Sequence, residues 1–111
     1  MNSPLDLHDA TLRTLTFDWR CALLAILLRA GVADSDHVVL EAHSVDDLKF
    51  PRMEPWGPSN SINSVALSSV GEGQLLAIEM QSGDLLEVRC HKVTVKRGSQ
   101  EAVVLEPQHP D

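Results

Sequence analysis

The sequence predicts an all-β domain, an antiparallel sandwich or partly open barrel of about six to eight strands. Two observations carry that expectation. Apolar and polar residues alternate at period two in several segments, and turn-forming residues punctuate the chain at short intervals. Length adds a bound: 111 residues, without an internal repeat, a low-complexity tract or a linker, make one domain over 1–111. An apolar fraction of 43% with 23% charged residues is that of a globular chain, and excludes a disordered tail or a collagen-like fibre.

Residues 11–19 put Leu15, Phe17 and Trp19 on one face and Thr14, Thr16 and Asp18 on the other, a half-buried strand. At least two of the four aromatics, Phe17, Trp19, Phe50 and Trp56, are expected in the core. The run 21–30, Cys-Ala-Leu-Leu-Ala-Ile-Leu-Leu-Arg-Ala, is apolar on both faces. It reads as a central strand buried on both sides, entered by a hairpin turn from Asp18 to Cys21. The alternative is an α+β fold with a helix at 19–30, with Asp18 as N-cap and Gly31 as its stop. His37 to His43 reads as a strand, and Leu48 to Phe50 as a short one that Pro51 ends. Residues 51–61 hold three prolines and form the clearest loop. Asn63 to Val70 resumes a strand with Val65 and Leu67 on one face.

Gln74 to Val88 is a hairpin whose register discriminates between turns. A two-residue Ser82-Gly83 loop would set Ile78 opposite Glu87 and mix the faces. A three-residue loop, Gln81-Ser82-Gly83, sets Ile78 opposite Leu86 and Leu76 opposite Val88. It also leaves Gly83 at the left-handed position. The apolar parity then shifts from Leu86, Val88 and Cys90 to Val93 and Val95, so a bulge or break falls near His91-Lys92. Ala102 to Leu105 adds a last short strand.

Charge and motifs narrow the function classes. Nine Lys+Arg against sixteen Asp+Glu leave a net charge of −7, which repels nucleic acid. Arg89, Lys92, Lys96 and Arg97 read as a solvated strand face. Cys21 and Cys90 lie far apart in apolar runs and read as free thiols acting as small hydrophobes in a reducing compartment. The first residues lack a basic and apolar leader, and the longest apolar run, Cys21 to Leu28, is too short for a membrane helix, so a cytoplasmic location is expected. No nucleophile elbow or phosphate-binding loop is present, and Gly71-Glu72-Gly73 carries an acid where phosphate would sit. His37 and His43, six residues apart on one strand, are separated by roughly 20 Å and cannot share a metal. No cofactor and no metal are expected.

Candidate binding residues are Trp56, Pro58 and Ser59 in the proline-rich loop, and His8 and Asp9 before the first strand. A tryptophan in a stiffened turn suits a binding hot spot, though its ring could instead cover an open end of the sheet. His8-Asp9 has a structural reading too. The acid would accept backbone N–H bonds and the imidazole would pack on the sheet, pinning the start of the chain.

Leu7-His8-Asp9-Ala10-Thr11-Leu12, continued by Phe17-Asp18-Trp19, resembles a broad group of small bacterial β-proteins. Some of these are labelled immunity proteins of toxin–antitoxin competition systems. Pro55-Trp56-Gly57-Pro58-Ser59-Asn60-Ser61-Ile62 and Glu79-Met80-Gln81-Ser82-Gly83-Asp84 look like the same group. The resemblance implies hairpins after an opening His-Asp-Ala, and supports the strand at 21–30. Together with the acidic charge it leads to the expectation of a non-enzymatic protein-interaction module, an immunity-like binder of a basic partner. The alternative is a small-ligand-binding protein or enzyme subunit with a pocket beside the Trp56 loop. A homodimer is a third expectation, from the two-sided apolar run at 21–28 and any uncovered sheet edge.

Overall fold

A computed structural model describes residues 7–31, 36–52 and 60–107. Nine strands occur among them: β1 (Thr11–Asp18), β2 (Leu23–Arg29), β3 (His37–His43), β4 (Asp47–Lys49), β5 (Ile62–Val70), β6 (Gly73–Met80), β7 (Leu85–Cys90), β8 (Lys92–Arg97) and β9 (Val103–Val104). They form two antiparallel sheets, β1-β2-β3-β8-β9 and β4-β7-β6-β5, with no closed barrel. The fold is an all-β sandwich. The count of nine exceeds the expected six to eight, and it includes short strands where 48–50 and 102–105 were expected, β4 and β9.

The Ala/Leu-rich run is a strand, and no helix occurs over 19–30. The hydrogen bonds an N-cap would make are present: Asp18 Oδ1 accepts from Arg20 N at 3.0 Å and Cys21 N at 3.1 Å. They close a turn instead, because Ala22 then takes a left-handed φ of 51° and turns the chain back. Asp18 pairs with Leu23, and β2 lies between β1 and β3. Pairing on both sides overrides the helix propensity of alanine and leucine. The same turn corrects two expectations. Trp19 is 85% exposed rather than core, because the strand ends at Asp18 and the alternation stops there. Cys21 is exposed in the turn, whereas Cys90 is buried.

The inner faces supply the core. Leu24, Ile26 and Leu28 of β2, Val38, Leu40 and Ala42 of β3, and Val93 and Val95 of β8 face Ile62, Leu67, Leu76, Ile78, Leu86 and Val88. Bulges at Arg13 and Asn63 let Leu12 and Ile62 join the inward set despite their parity with the residues that follow. The β6–β7 register is the one a three-residue turn demands: Ile78 opposite Leu86, Leu76 opposite Val88, and Gly83 at a φ of 100°. The parity break lies at His91, where the chain leaves β7 for β8. There the ribbon passes between sheets: β3 pairs β8 in one, and β4 pairs β7 in the other. His91 N donates to His43 O at 3.0 Å, and Asp46 N to Arg89 O at 2.8 Å, so both chains turn this corner together. On the opposite side Leu12 N donates to Asn60 O and Ile62 N to Ala10 O, joining the start of β1 to β5. No helix among the described residues is long and apolar enough to cross a membrane.

Candidate functional site

Several places among the described residues bring chemically useful side chains together. The first is the end that carries the β1–β2 turn. Val45 N donates to Ala22 O at 2.9 Å, tying this turn to the corner between β3 and β4. A groove of about 310 Å³ opens there, lined by Phe17, Trp19, Ala22, Val45, Asp46, Asp47 and Leu48. The Trp19 ring stands edge-on to Phe17, with centroids 6.0 Å apart and an interplanar angle of 86°. The Asp18 carboxylate fixes the turn that holds Trp19, so the indole is presented in advance of any partner. The acids on the far wall are exposed. Asp46 Oδ2 lies 3.4 Å from His91 Nε2, and Asp47 stands opposite Arg89 on the neighbouring strand.

The second place gathers His8 and Asp9, which sequence reasoning singled out. His8 Nδ1 lies 2.8 Å from the carbonyl oxygen of Asn63, so that nitrogen carries the proton and donates. His8 Nε2 lies 3.5 Å from Asp9 Oδ1, and the same oxygen accepts from Gln81 Nε2 at 2.6 Å. Asp9 N donates to Ile62 O, with Asp9 itself at a φ of 68°. Asn63 Nδ2 donates to Glu79. The segment before β1 is thereby sewn to the start of β5 and to the β6–β7 loop. The donor to the Asp9 carboxylate is a side-chain amide, not the backbone N–H expected. Both side chains remain more than half exposed, and this lattice of mutual hydrogen bonds satisfies the groups it contains.

The third place is a narrow cleft of about 120 Å³, lined by Leu12, Leu15, Phe50, Pro51, Met80 and Leu86 together with Arg52, Asn60 and the buried Asp84. Pro51 and Asn60 flank the proline-rich loop. Trp56, Pro58 and Ser59 themselves lie outside the described residues.

Among the described residues no group of three or more histidine, cysteine, aspartate or glutamate side chains is placed to hold a metal ion. Burial pushes the Cys90 thiol up to about 11; a backbone hydrogen bond at Lys92 works against that and the Asp46 charge adds to it. A thiol held protonated in a core is a packing group, not a nucleophile. Sequence reasoning missed the Trp19 groove. The signal was present, since a turn beginning at Asp18 removes Trp19 from the strand's inward face. No family model matches the chain, and neither a curated protein nor a solved structure does.

Proposed function

We propose that this chain is a non-enzymatic protein-interaction module that receives a basic, partly apolar segment of another protein in the Trp19 groove. The observation that carries the reading is a tryptophan 85% exposed on a hydrogen-bonded turn, above an apolar groove edged by Asp46 and Asp47. Tryptophan anchors are enriched in binding hot spots, and a pre-set turn lowers the ordering cost of association. Arg89 offsets part of the local acid charge, while the net charge of −7 sets the long-range attraction for a basic partner. The resemblance of the opening His8-Asp9-Ala10 segment to immunity-type proteins supports the same reading.

The test compares wild type with Trp19→Ala and Asp47→Lys as baits in extracts of the source cells at low and high salt. The module reading expects a basic protein held by wild type at low salt, released by salt and lost from both variants. A partner retained equally by Trp19→Ala would move the site elsewhere. No salt-sensitive partner at all would remove the reading.

A second reading, a small-ligand site beside the Trp56 loop, is favoured by the apolar cleft at that loop's two ends. Its volume is below the range of roughly 300–1,000 Å³ typical of drug-sized ligand sites, which ranks it behind the first.

A further inference from the structure

The Trp19 groove and the narrow cleft lie along one open seam. The two sheets end there on β1 and β4, and no ladder joins these strands. Phe17 and Leu48 line the groove, and Leu15 and Phe50 line the cleft. All four are partly buried and pack on the core. The β1 side of the seam also has unused main-chain groups. Ala30 N donates to Asp36 O, so by alternation Leu28, Ile26 and Leu24 turn their N–H and C=O to β3, and Leu27, Ala25 and Leu23 turn theirs to β1. Thr14, Thr16 and Asp18 stand opposite those three and answer them. Leu15 and Phe17 therefore aim N–H and C=O into the seam, with no backbone partner among the described residues. The other sheet edges offer less. The strands β4 and β9 are three and two residues long, and in β5 Leu67 is wholly covered, main chain included. From Thr14 to Phe17, β1 carries neither charge nor proline, the devices that blunt an edge.

We propose that the partner segment of the Trp19 groove binds as an added strand, antiparallel to β1, with its main chain hydrogen-bonded to Leu15 and Phe17. The inference rests on the partner reading above and supplies its binding mode. Antiparallel pairing continues the pattern of the sheet and is the more stable per residue. Residues of the added strand opposite Phe17 and Leu15 point to the same side as those two, into the groove and the cleft. The residue between them points outward, beside the exposed Thr16. Two positions before the residue facing Phe17, the segment reaches Trp19, Asp46 and Asp47, where a lysine or arginine is matched in charge. The small volume of the cleft favours a branched aliphatic side chain over an aromatic one. The partner chemistry is thus an extended segment in which one basic and two aliphatic residues occupy alternate positions, the basic one first.

Two capped peptides of the order Lys-Thr-Val-Thr-Val-Thr test this. One is N-methylated at its threonines and the other at its valines, so side chains and charge are the same in both. The valine N–H groups are the ones that face β1 in the added strand, and methylating them removes its donors. Amide NMR of the whole chain, titrated to about 2 mM peptide, reads binding residue by residue. The threonine-methylated peptide is expected to shift the Leu15 and Phe17 amides and to slow their hydrogen exchange about threefold, as a Kd near 1 mM requires. The valine-methylated peptide is expected to bind about tenfold more weakly or worse. Equal affinities overturn the added strand, and so do shifts confined to Trp19, Asp46 and Asp47; either leaves the groove standing as a site. No shift with either peptide also overturns it, while the partner reading is still decided by whether wild type captures a basic protein that salt releases.

Discussion

The outer faces of the two sheets arrange their apolar residues differently. On the four-stranded sheet the outward rows interleave apolar residues with charges: Leu75 stands beside Arg89, and the exposed Leu85 beside Glu79. Asp47 stands opposite Arg89, Lys49 opposite Glu87, and Ser64 beside Glu79. Cross-strand opposite charges and serines suit a face that water covers. On the five-stranded sheet the outward column of β2 is leucine, alanine, leucine and arginine, so three apolar residues run together, with His37 and Glu41 of β3 beside the column. Yet both sheets have equally apolar inner faces. The difference teaches that the inner face records the fold and the outer face records what the fold meets. A sandwich needs only one apolar face per sheet, so the run of Leu23, Ala25 and Leu27 on the outer side of β2 is surplus to folding.

The comparison breaks most sharply on one strand. Ile26 and Leu27 are adjacent in β2 and face opposite ways, the first fully buried and the second half-buried. Ile26→Ala is expected to cost about 2–5 kcal/mol, by lost transfer energy and a residual cavity. Leu27→Ala should cost about 1 kcal/mol or less when measured in dilute, monomeric protein. Urea unfolding of both variants checks this. Equal losses at low concentration would mean that the outer face is already covered within the monomer.

The next effect separates the two cysteines. Cys90 sits in the core of the four-stranded sheet, with its thiol raised from 9.0 to about 11 by burial; Cys21 is exposed in a turn of the other sheet. The folded-state value lies above the unfolded one, so the fold disfavours the thiolate. The stability this represents is fully present below pH 9.0 and is lost as pH rises through about 11. A shift of that size corresponds to about 2–3 kcal/mol. Cys90→Ala should flatten the stability profile between those two values, at some cost in packing. A thiol reagent at pH 8 should label Cys21 at once and Cys90 only as the protein unfolds.

The turns sharpen the comparison further. Gly83 closes β6 to β7 at a φ of 100°, and Ala22 closes β1 to β2 at 51°. Gly83→Ala is expected to destabilise by about 1–2 kcal/mol, since a β-carbon is strained there. Ala22→Gly should be neutral or stabilising by up to about 1 kcal/mol, because glycine relieves the left-handed alanine more than its entropy costs. Thermal melts at matched pH give both signs.

Much of this architecture was legible. The alternation around Ile78 and Leu86 fixed a register through the length of one turn, and the parity change at His91 marked the corner where the ribbon passes between sheets. The β2 strand was legible only in part. Its composition favours a helix, and what decides against one is pairing with β1 and β3, segments whose positions a single run of residues does not contain. Trp19 was read inward because strict alternation was extended one residue past Asp18. A side chain that accepts two backbone N–H groups ends a strand locally, and period-two counting does not register it. His8 and Asp9 were legible as a fastening, but their partners Asn63 and Gln81 lie 55 and 72 positions away, which spacing along the chain does not reveal.

The smallest expected effect is on stability at Trp19, and its smallness is informative. The indole touches Phe17 edge-on and otherwise faces water. An edge-to-face pair contributes about 0.5–1.5 kcal/mol in a buried setting, and less where solvent already reaches both rings. Trp19→Ala is therefore expected to change unfolding free energy by no more than about 0.5 kcal/mol. A loss of 2 kcal/mol or more on urea unfolding would make the indole a part of the core's cover, and the groove beneath it a packing defect. A loss near zero leaves a large apolar ring held in water by a turn whose Asp18 carboxylate could hold a smaller residue equally well. Folding does not require tryptophan at that position, as the proposed partner site expects.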